Sequence, residues 1–179
     1  MKKVRQSLGL LAILSSLYFL PPRLYAQVEG GYYYYDDYST AIGLRGGWTS
    51  GLTIKHFVSP GTAIEGIISG YPAGASITGL VEGYTPIFGS SGFRAYFGAG
   101  GHVRFYPWTY RYYYYPYYDV IYTSGGGAGV GIDGIVGIEY KIPDFPMAFS
   151  IDLKPFVETG TGGYVVFVPD AGLGVKVAF

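Results

Sequence analysis

Hydrophobic and polar residues alternate with a period of two along most of the chain after residue 38, and turn-forming residues interrupt the alternation at short intervals. In the last segment, Lys176 lies on one face of such a strand, and the opposite face carries Ala171, Leu173, Val175, Val177 and Phe179. Successive side chains of a β-strand point to opposite faces, so this pattern predicts strands with one apolar face. The same part of the chain has no convincing helical stripe, which predicts an all-β protein.

Eight segments follow the pattern: 40–48, 51–57, 62–70, 76–86, 93–106, 128–141, 147–158 and 171–179. Most have close to the roughly 9–11 residues that a tilted strand needs to cross a bilayer. A sheet that crosses a bilayer must close on itself to satisfy its backbone, and single-chain bacterial barrels have an even number of strands. We therefore predict a closed antiparallel up-and-down transmembrane β-barrel of eight strands. Its longest connections, 107–127 and 159–169, would share the outer end if both termini are periplasmic.

Residues 1–26 are typical of a cleaved signal peptide. Lys2, Lys3 and Arg5 precede an apolar run over 8–20, which is too short for a typical membrane-spanning helix, although a retained anchor helix is the alternative. Cleavage after Ala26 would leave a tyrosine-rich segment, 27–38, and the barrel, 39–179. The absence of cysteine excludes disulfides and lipid attachment at a cysteine. These features predict export to the bacterial outer membrane.

Charged residues in the middle of the predicted strands fall on the face opposite to the Ile, Val and Leu residues. A Lys or Arg facing lipid near the bilayer midplane would cost about 2–4 kcal/mol, so these side chains are expected to line the lumen. They are six of each sign: Arg45, Lys55, Arg94, Arg104, Lys154 and Lys176 against Glu65, Glu82, Asp133, Glu139, Asp152 and Glu158. Because an eight-stranded interior is just wide enough for side chains to fill, we predict an ion-paired, closed lumen.

The centres of the hairpins predict which of these charges face each other across neighbouring strands. The expected pairs are Lys55 with Glu65, Asp133 with Lys154, and Asp152 with Lys176. Long side chains would find room above inward-facing glycines, which are Gly43, Gly47, Gly129, Gly131, Gly172 and Gly174.

Tyrosine is concentrated in two runs, one before the first strand and one in the 107–127 connection. Amphipathic rings suit the headgroup depth of a bilayer, so both runs fit an interfacial belt. Tyrosine also offers a large contact area at low entropic cost, which makes the second run a candidate surface for a glycan or protein ligand. Its candidate residues are Trp108, Tyr110, Tyr112, Tyr113, Tyr114, Tyr115, Tyr117 and Tyr118. Elsewhere, Phe57 and Phe88 are expected at the periplasmic rim.

Little in the sequence supports catalysis, and we predict neither an enzyme nor a cofactor. The two histidines, His56 on the lipid-facing parity and His102 on the inward one, do not build a transition-metal site without cysteine. The alternative function is a lipid-modifying hydrolase in which Ser76 lies opposite His102. The charge argues against nucleic acid as a partner, since residues 27–179 hold eight Lys and Arg against twelve Asp and Glu, a net charge of −4.

The leader, the eight alternating segments and the terminal Phe179 resemble the small outer-membrane β-barrel family of OmpA/OmpX size. Segments 41–45, 50–57 and 131–140 look like a lineage common in Bacteroidetes-type bacteria. The resemblance implies contact with outer-membrane lipid and delivery by periplasmic chaperones and the barrel-assembly machinery, with Phe179 as part of the assembly signal. It brings no catalytic motif, so a structural or surface-binding role is expected. A soluble secreted β-sandwich adhesin is the third class considered.

Overall fold

A computed structural model of the protein describes residues 38–71, 74–89, 92–106, 109–111, 122–124, 126–161, 163 and 165–179. The predicted signal peptide and residues 27–37 lie outside the described residues. The strands are β1 (Thr40–Gly47), β2 (Gly51–Ser59), β3 (Thr62–Tyr71), β4 (Gly74–Pro86), β5 (Phe93–Tyr106), β6 (Thr109–Arg111), β7 (Tyr122–Ser124), β8 (Gly127–Lys141), β9 (Met147–Gly160) and β10 (Val165–Ala178). No helix in the described part of the chain is long and apolar enough to span a bilayer.

Eight of these strands close into one barrel in the order β1-β10-β9-β8-β5-β4-β3-β2. All neighbours are antiparallel, and β1 closes the barrel against β10 by pairing from Ala41 with Ala178 to Gly47 with Gly172. β6 and β7 form a separate two-stranded sheet within the connection between β5 and β8. The predicted eight-stranded, antiparallel up-and-down fold is thereby confirmed, and it is not a sandwich of two facing sheets. Closure removes the open edges of the sheet.

The two faces of the barrel sheet have opposite chemical character. Thirty large apolar side chains of the described residues are exposed, including Leu52 at 59%, Ile132 at 71% and Leu173 at 64%. All fourteen charged side chains of the barrel strands are buried. A protein folded in water normally buries the first kind of residue and exposes the second. The barrel therefore has an apolar outer wall and a charged interior.

Strand β10 begins six residues earlier than predicted, so the long connection expected at 159–169 is wrong. Only residues 161–164 join β9 to β10. The segment contains Pro169, which is unfavourable in a central strand, but here Pro169 lies directly opposite Pro155. Since β1 pairs with β10 only as far as Gly172, the missing N–H of Pro169 removes no bond to β1.

Aromatic side chains fill the interior at the end where the chain termini meet. Phe57 lies at the end of β2 beside the chain termini, as expected, but its side chain points into the barrel because it shares the inward parity of Lys55. Its ring packs edge-on against Tyr38 and Tyr84, with centroids 5.2 and 5.0 Å apart. Phe88, in contrast, is exposed.

Candidate functional site

The structure places all twelve charged residues predicted for the lumen inside the barrel, where, together with His102 and Asp170, they form two groups along its axis. The termini-side cluster, nearer the chain termini, consists of Lys55, Glu65, Glu82, Arg94, Glu139 and Lys176. The loop-side cluster, nearer the β5–β8 connection, consists of Arg45, His102, Arg104, Asp133, Asp152, Lys154, Glu158 and Asp170. Each member points inward because it lies on the parity of its strand opposite to the apolar residues.

Lys55 is the centre of the termini-side cluster and is fully buried. Its Nζ lies 3.1 Å from Glu65 Oε2 and 2.9 Å from Glu82 Oε2, with Glu139 Oε2 at 3.6 Å. Lys176 Nζ lies 3.2 Å from the other carboxylate oxygen of Glu65, and two strands separate β10 from β3, so this ion pair crosses the lumen. Such partners are needed because a buried charge has lost its hydration.

Two stacked tyrosines pack against this cluster. The ring centroids of Tyr84 and Tyr96 are 5.2 Å apart, and Lys55 Nζ lies 5.0 and 4.6 Å from them, respectively. Cation–π contacts of this kind stabilise a desolvated ammonium. The Tyr96 hydroxyl also donates to Asp152 Oδ2 at 3.2 Å, so Tyr96 connects the two clusters.

Tyr38 closes the interior at the end where the termini meet. Its hydroxyl donates to Glu139 Oε1 at 2.6 Å, and Arg94, whose Nη2 lies 3.2 Å from the same oxygen, packs over its ring. Burial, together with the Glu139 carboxylate, raises the pKa of Tyr38 well above its ordinary value, so the hydroxyl keeps its proton. Tyr38 is the last residue of the predicted N-terminal segment, yet it lies inside the barrel.

The loop-side cluster is a continuous chain in which carboxylates and cations alternate. Arg45 bridges two carboxylates, with Nη2 2.5 Å from Asp152 Oδ1 and Nη1 3.0 Å from Asp170 Oδ2. Lys154 Nζ continues the chain, 3.6 Å from Asp170 Oδ2 and 3.0 Å from Asp133 Oδ1. The chain therefore links residues of β1, β8, β9 and β10.

His102, on β5, extends this chain by joining Asp133 of β8 to Glu158 of β9. Its Nδ1 lies 2.7 Å from Asp133 Oδ2, and its Nε2 lies 3.0 Å from Glu158 Oε2. Arg104 Nη1 lies 3.0 Å from the same Glu158 oxygen, and the Tyr106 hydroxyl donates to the other one. Glu158 thus receives three partners from β5.

Asp170 is the central residue that the sequence-based assignment missed. The last strand was predicted to begin at Ala171, which left Asp170 in a loop. It is fully buried and accepts a hydrogen bond from the Thr49 hydroxyl in addition to its ion pairs. A signal was present, because Val165 and Phe167 share the outward parity of Ala171 and so place Asp170 on the inward face. Lys141, also missed, is buried at the rim and bonds turn carbonyls.

Of the predicted cross-strand pairs, Lys55 and Glu65 do lie directly opposite each other. The predicted register of Asp133 and Lys154 is wrong by two residues, since Phe156 lies opposite Asp133. The ion pair forms nevertheless, because the long side chain of Lys154 reaches diagonally to Asp133.

The predicted pair of Asp152 with Lys176 is wrong. Gly172 lies opposite Asp152, because the short connection at 161–164 moves the β9–β10 hairpin four residues away from the expected register. Lys176 binds Glu65 across the lumen instead. The interior partners are therefore set by the closed barrel rather than by the hairpin alone.

Inward glycines let a side chain pass over one strand and reach a carboxylate on the next. Tyr96 on β5, Gly137 on β8 and Asp152 on β9 lie opposite one another, and the Tyr96 hydroxyl crosses Gly137 to reach Asp152. A Cβ on Gly137 would lie 2.5 Å from Tyr96 Cζ. The predicted glycines with the same role are Gly131, beneath His102, and Gly172, beneath Arg45.

We expect Gly137→Ala to destabilise the barrel by about 1–3 kcal/mol, the usual range for overpacking a filled interior. The new methyl group would displace the Tyr96 ring from Asp152. Gly79→Ala is the matched control, because Gly79 is also a strand glycine but a Cβ there meets no atom within 4 Å. Urea unfolding of the refolded variants, followed by tryptophan fluorescence, measures the difference. Equal midpoints for the two variants would contradict the crossing role of Gly137.

The structure does not bring Ser76 to His102. Thr78 lies opposite His102, and Ser76 lies opposite Arg104. Both ring nitrogens of His102 face carboxylates, and His56 faces outward, away from the lumen. The serine–histidine pair required by the hydrolase alternative is therefore not formed in this register.

Most of the candidate ligand-binding connection lies outside the described residues, which leaves untested the placement of Trp108, Tyr112, Tyr113, Tyr114, Tyr115, Tyr117 and Tyr118. Tyr110 falls in β6, where it lies opposite Thr123 of β7. The connection thus contains a short hairpin outside the barrel sheet.

Among the described residues, no group of three or more His, Asp or Glu side chains is arranged to hold a metal ion. No family model matches the chain, and no curated protein is significantly similar to it. What the barrel does is therefore inferred from its own surfaces and charges.

Proposed function

We propose that this protein is a non-enzymatic outer-membrane β-barrel with a closed, ion-paired interior, which acts structurally or binds a surface ligand through its 107–127 connection. The observation that carries the proposal is the segregation of side chains. Thirty large apolar side chains are exposed, whereas every charged side chain of the barrel strands is buried. In water so large an apolar surface would promote aggregation, but in a bilayer it is the favourable arrangement.

The dimensions of the barrel support a membrane location. Strands β5, β8, β9 and β10 contain 14 or 15 residues each. At about 3.3 Å per residue and a tilt of about 40°, such strands rise by about 35 Å, which exceeds the roughly 25 Å apolar band of outer-membrane barrels. The expected signal peptide supplies the route of export.

A closed interior is supported by ion pairs that cross the lumen. Lys176 reaches Glu65 over two intervening strands, and Arg45 reaches Asp152 over β10. An eight-stranded barrel has room for little more than its own side chains. Such a barrel would conduct no ions through its axis, and its contact with other molecules would be made by the connections between strands.

The 107–127 connection is the connection best suited to contact other molecules. It leaves the barrel at the end opposite to the chain termini and would face outside the cell if the termini are periplasmic. Its tyrosines would present stacking surfaces and hydroxyls to a glycan or protein ligand. Of the Lys and Arg residues after residue 26, Arg111 alone lies outside the barrel strands.

This distribution of basic residues gives a direct test in a Gram-negative host that exports the full chain. We expect the protein in the outer-membrane fraction, floating with lipid and resisting extraction by urea. Trypsin added to intact cells should cut once, after Arg111, because the other basic residues of the folded barrel are buried. Arg111→Gln is the matched control and should abolish the cut without changing the fractionation.

Two results would overturn the proposal. One is recovery of the protein as a soluble periplasmic species, which would refute the membrane location. The other is a steady open channel when the refolded protein is inserted in a planar bilayer, which would refute the closed interior.

A further inference from the structure

We propose that His102 is a doubly protonated imidazolium in the folded barrel. Its two N–H groups would then donate hydrogen bonds that link β5 to both β8 and β9 in the loop-side cluster. The loop-side half of the interior would then be a pH-sensitive element whose ion-pair chain is complete only while the second proton is bound. The proposal concerns the interior alone and does not depend on the membrane location or the surface role.

Both ring nitrogens of His102 lie at hydrogen-bond distance from carboxylate oxygens. Nδ1 lies 2.7 Å from Asp133 Oδ2 and Nε2 lies 3.0 Å from Glu158 Oε2, both within hydrogen-bond distance. A neutral imidazole carries one N–H donor, and its other nitrogen is an acceptor, whereas an ionised carboxylate can only accept. With a neutral ring, one nitrogen lone pair would therefore face a carboxylate oxygen. The site needs one additional proton.

Neighbouring cations keep both carboxylates ionised, so the additional proton lies on the His102 ring. Lys154 Nζ lies 3.0 Å from Asp133 Oδ1, and Arg104 Nη1 lies 3.0 Å from Glu158 Oε2. A cation at hydrogen-bond distance favours the ionised form of each carboxylate. Both carboxylates therefore stay ionised, and His102 is the group that takes up the proton.

The charges of the two clusters also favour a protonated His102. The termini-side cluster has three cations and three carboxylates. Among the described side chains, the loop-side cluster has four carboxylates, on Asp133, Asp152, Glu158 and Asp170, and three fixed cations, on Arg45, Arg104 and Lys154. An imidazolium at His102 makes this cluster neutral, as the other one is. An uncompensated buried charge would be costly.

The titratable groups of the described residues that face His102 agree with this assignment. Its own strand supplies Arg104 and the Tyr106 hydroxyl, β8 supplies Asp133, and β9 supplies Glu158 and Lys154. On β4 the residue opposite His102 is Thr78, which carries no charge.

Two neutral features hold the ring in place. Phe156 packs edge-on against it, with centroids 5.0 Å apart. Gly131 lies directly between His102 and Glu158 in register, and a Cβ there would collide with the imidazole. The ring can therefore cross β8 only because residue 131 has no side chain.

Stability should fall as pH rises, because the folded state favours the protonated form of His102. The folded state binds a proton that the unfolded chain releases as pH rises, so the stabilisation is complete at low pH and is lost at higher pH. The loss amounts to at most about tenfold in the folding equilibrium constant per pH unit while the two states differ by one proton.

The test uses the full mature chain refolded in detergent micelles, with ¹⁵N-labelled histidine. The chain has two histidines, so the outward-facing His56 is an internal reference. We expect both nitrogens of His102 to carry protons at about pH 8, where an imidazole with the ordinary pKa of about 6.5 is neutral. A single protonated nitrogen on His102 in the folded protein at neutral pH would overturn the proposal.

Stability measurements give the second readout. Between about pH 6 and pH 10 the urea midpoint of the natural protein should fall, and that of His102→Gln should fall less, because glutamine has no proton to lose. His56→Gln is the control and should retain the pH dependence of the natural protein. A His102→Gln profile that parallels the natural one would refute the claim that the second proton on His102 stabilises the fold. If this variant does not fold, the ¹⁵N spectra of the natural protein decide the question.

Discussion

Lys55→Met should destabilise the barrel by about 3–5 kcal/mol, the range observed when one partner of a buried ion pair is removed. Lys55 is fully buried and its ammonium lies within 3.6 Å of three carboxylates. Methionine would fill a similar volume without the charge. The cluster would then hold three carboxylates and two cations, and Glu82, which has no other cation within ion-pair distance among the described residues, would be left unpaired.

The urea midpoint of the refolded protein, and the temperature at which it loses its compact form on a heat-modifiability gel, measure this loss. Lys141→Met is the matched control, since among the described residues Lys141 bonds the carbonyl oxygens of Ile142 and Phe145 and forms no ion pair with a carboxylate. Adding Glu82→Gln to Lys55→Met should restore part of the stability, because the cluster becomes neutral again. If Lys55→Met were no more destabilising than Lys141→Met, the interior would not depend on charge pairing.

Ile132→Arg should destabilise the barrel in lipid by about 2–4 kcal/mol, the cost of an arginine on the lipid-facing wall near the bilayer midplane. Ile132 is 71% exposed and lies two residues from the centre of β8. Val165 is similarly exposed, at 70%, but is the first residue of β10. Val165→Arg should therefore cost only about 0–1 kcal/mol, as expected near the membrane interface.

Equilibrium folding into phospholipid vesicles over a urea series measures both variants. The comparison is sensitive to the surroundings of the barrel rather than to its internal contacts, because both positions point away from the lumen. On a barrel surrounded by water, an exposed arginine would be tolerated equally at the two positions. Equal stability of Ile132→Arg and Val165→Arg would therefore count against a bilayer around the outer wall, although the eight-stranded fold itself would stand.

The number of strands and the direction of each side chain could be predicted from the sequence because both are local properties. Parity along a single strand places Lys55, Asp133 and Lys176 inward whatever the neighbouring strands do, and the cost of a charge in lipid makes the apolar face the outer one. Parity correctly placed the twelve charged residues that were assigned to the lumen. It was not applied to Lys141, at the end of its predicted strand, and Asp170 was missed because Pro169 made the start of β10 look like a loop.

The partners of these charges were decided by the tertiary structure. Register depends on where each hairpin turns, and the unexpectedly short connection at 161–164 gave Asp152 a glycine as its opposite residue and left Lys176 to cross the lumen to Glu65. The contacts of His102 with two strands likewise exist only in the closed barrel, where Gly131 lets the ring pass. A chain of alternating residues determines which side chains share an interior, whereas closing the sheet brings together residues distant in sequence, and no local pattern encodes those distances.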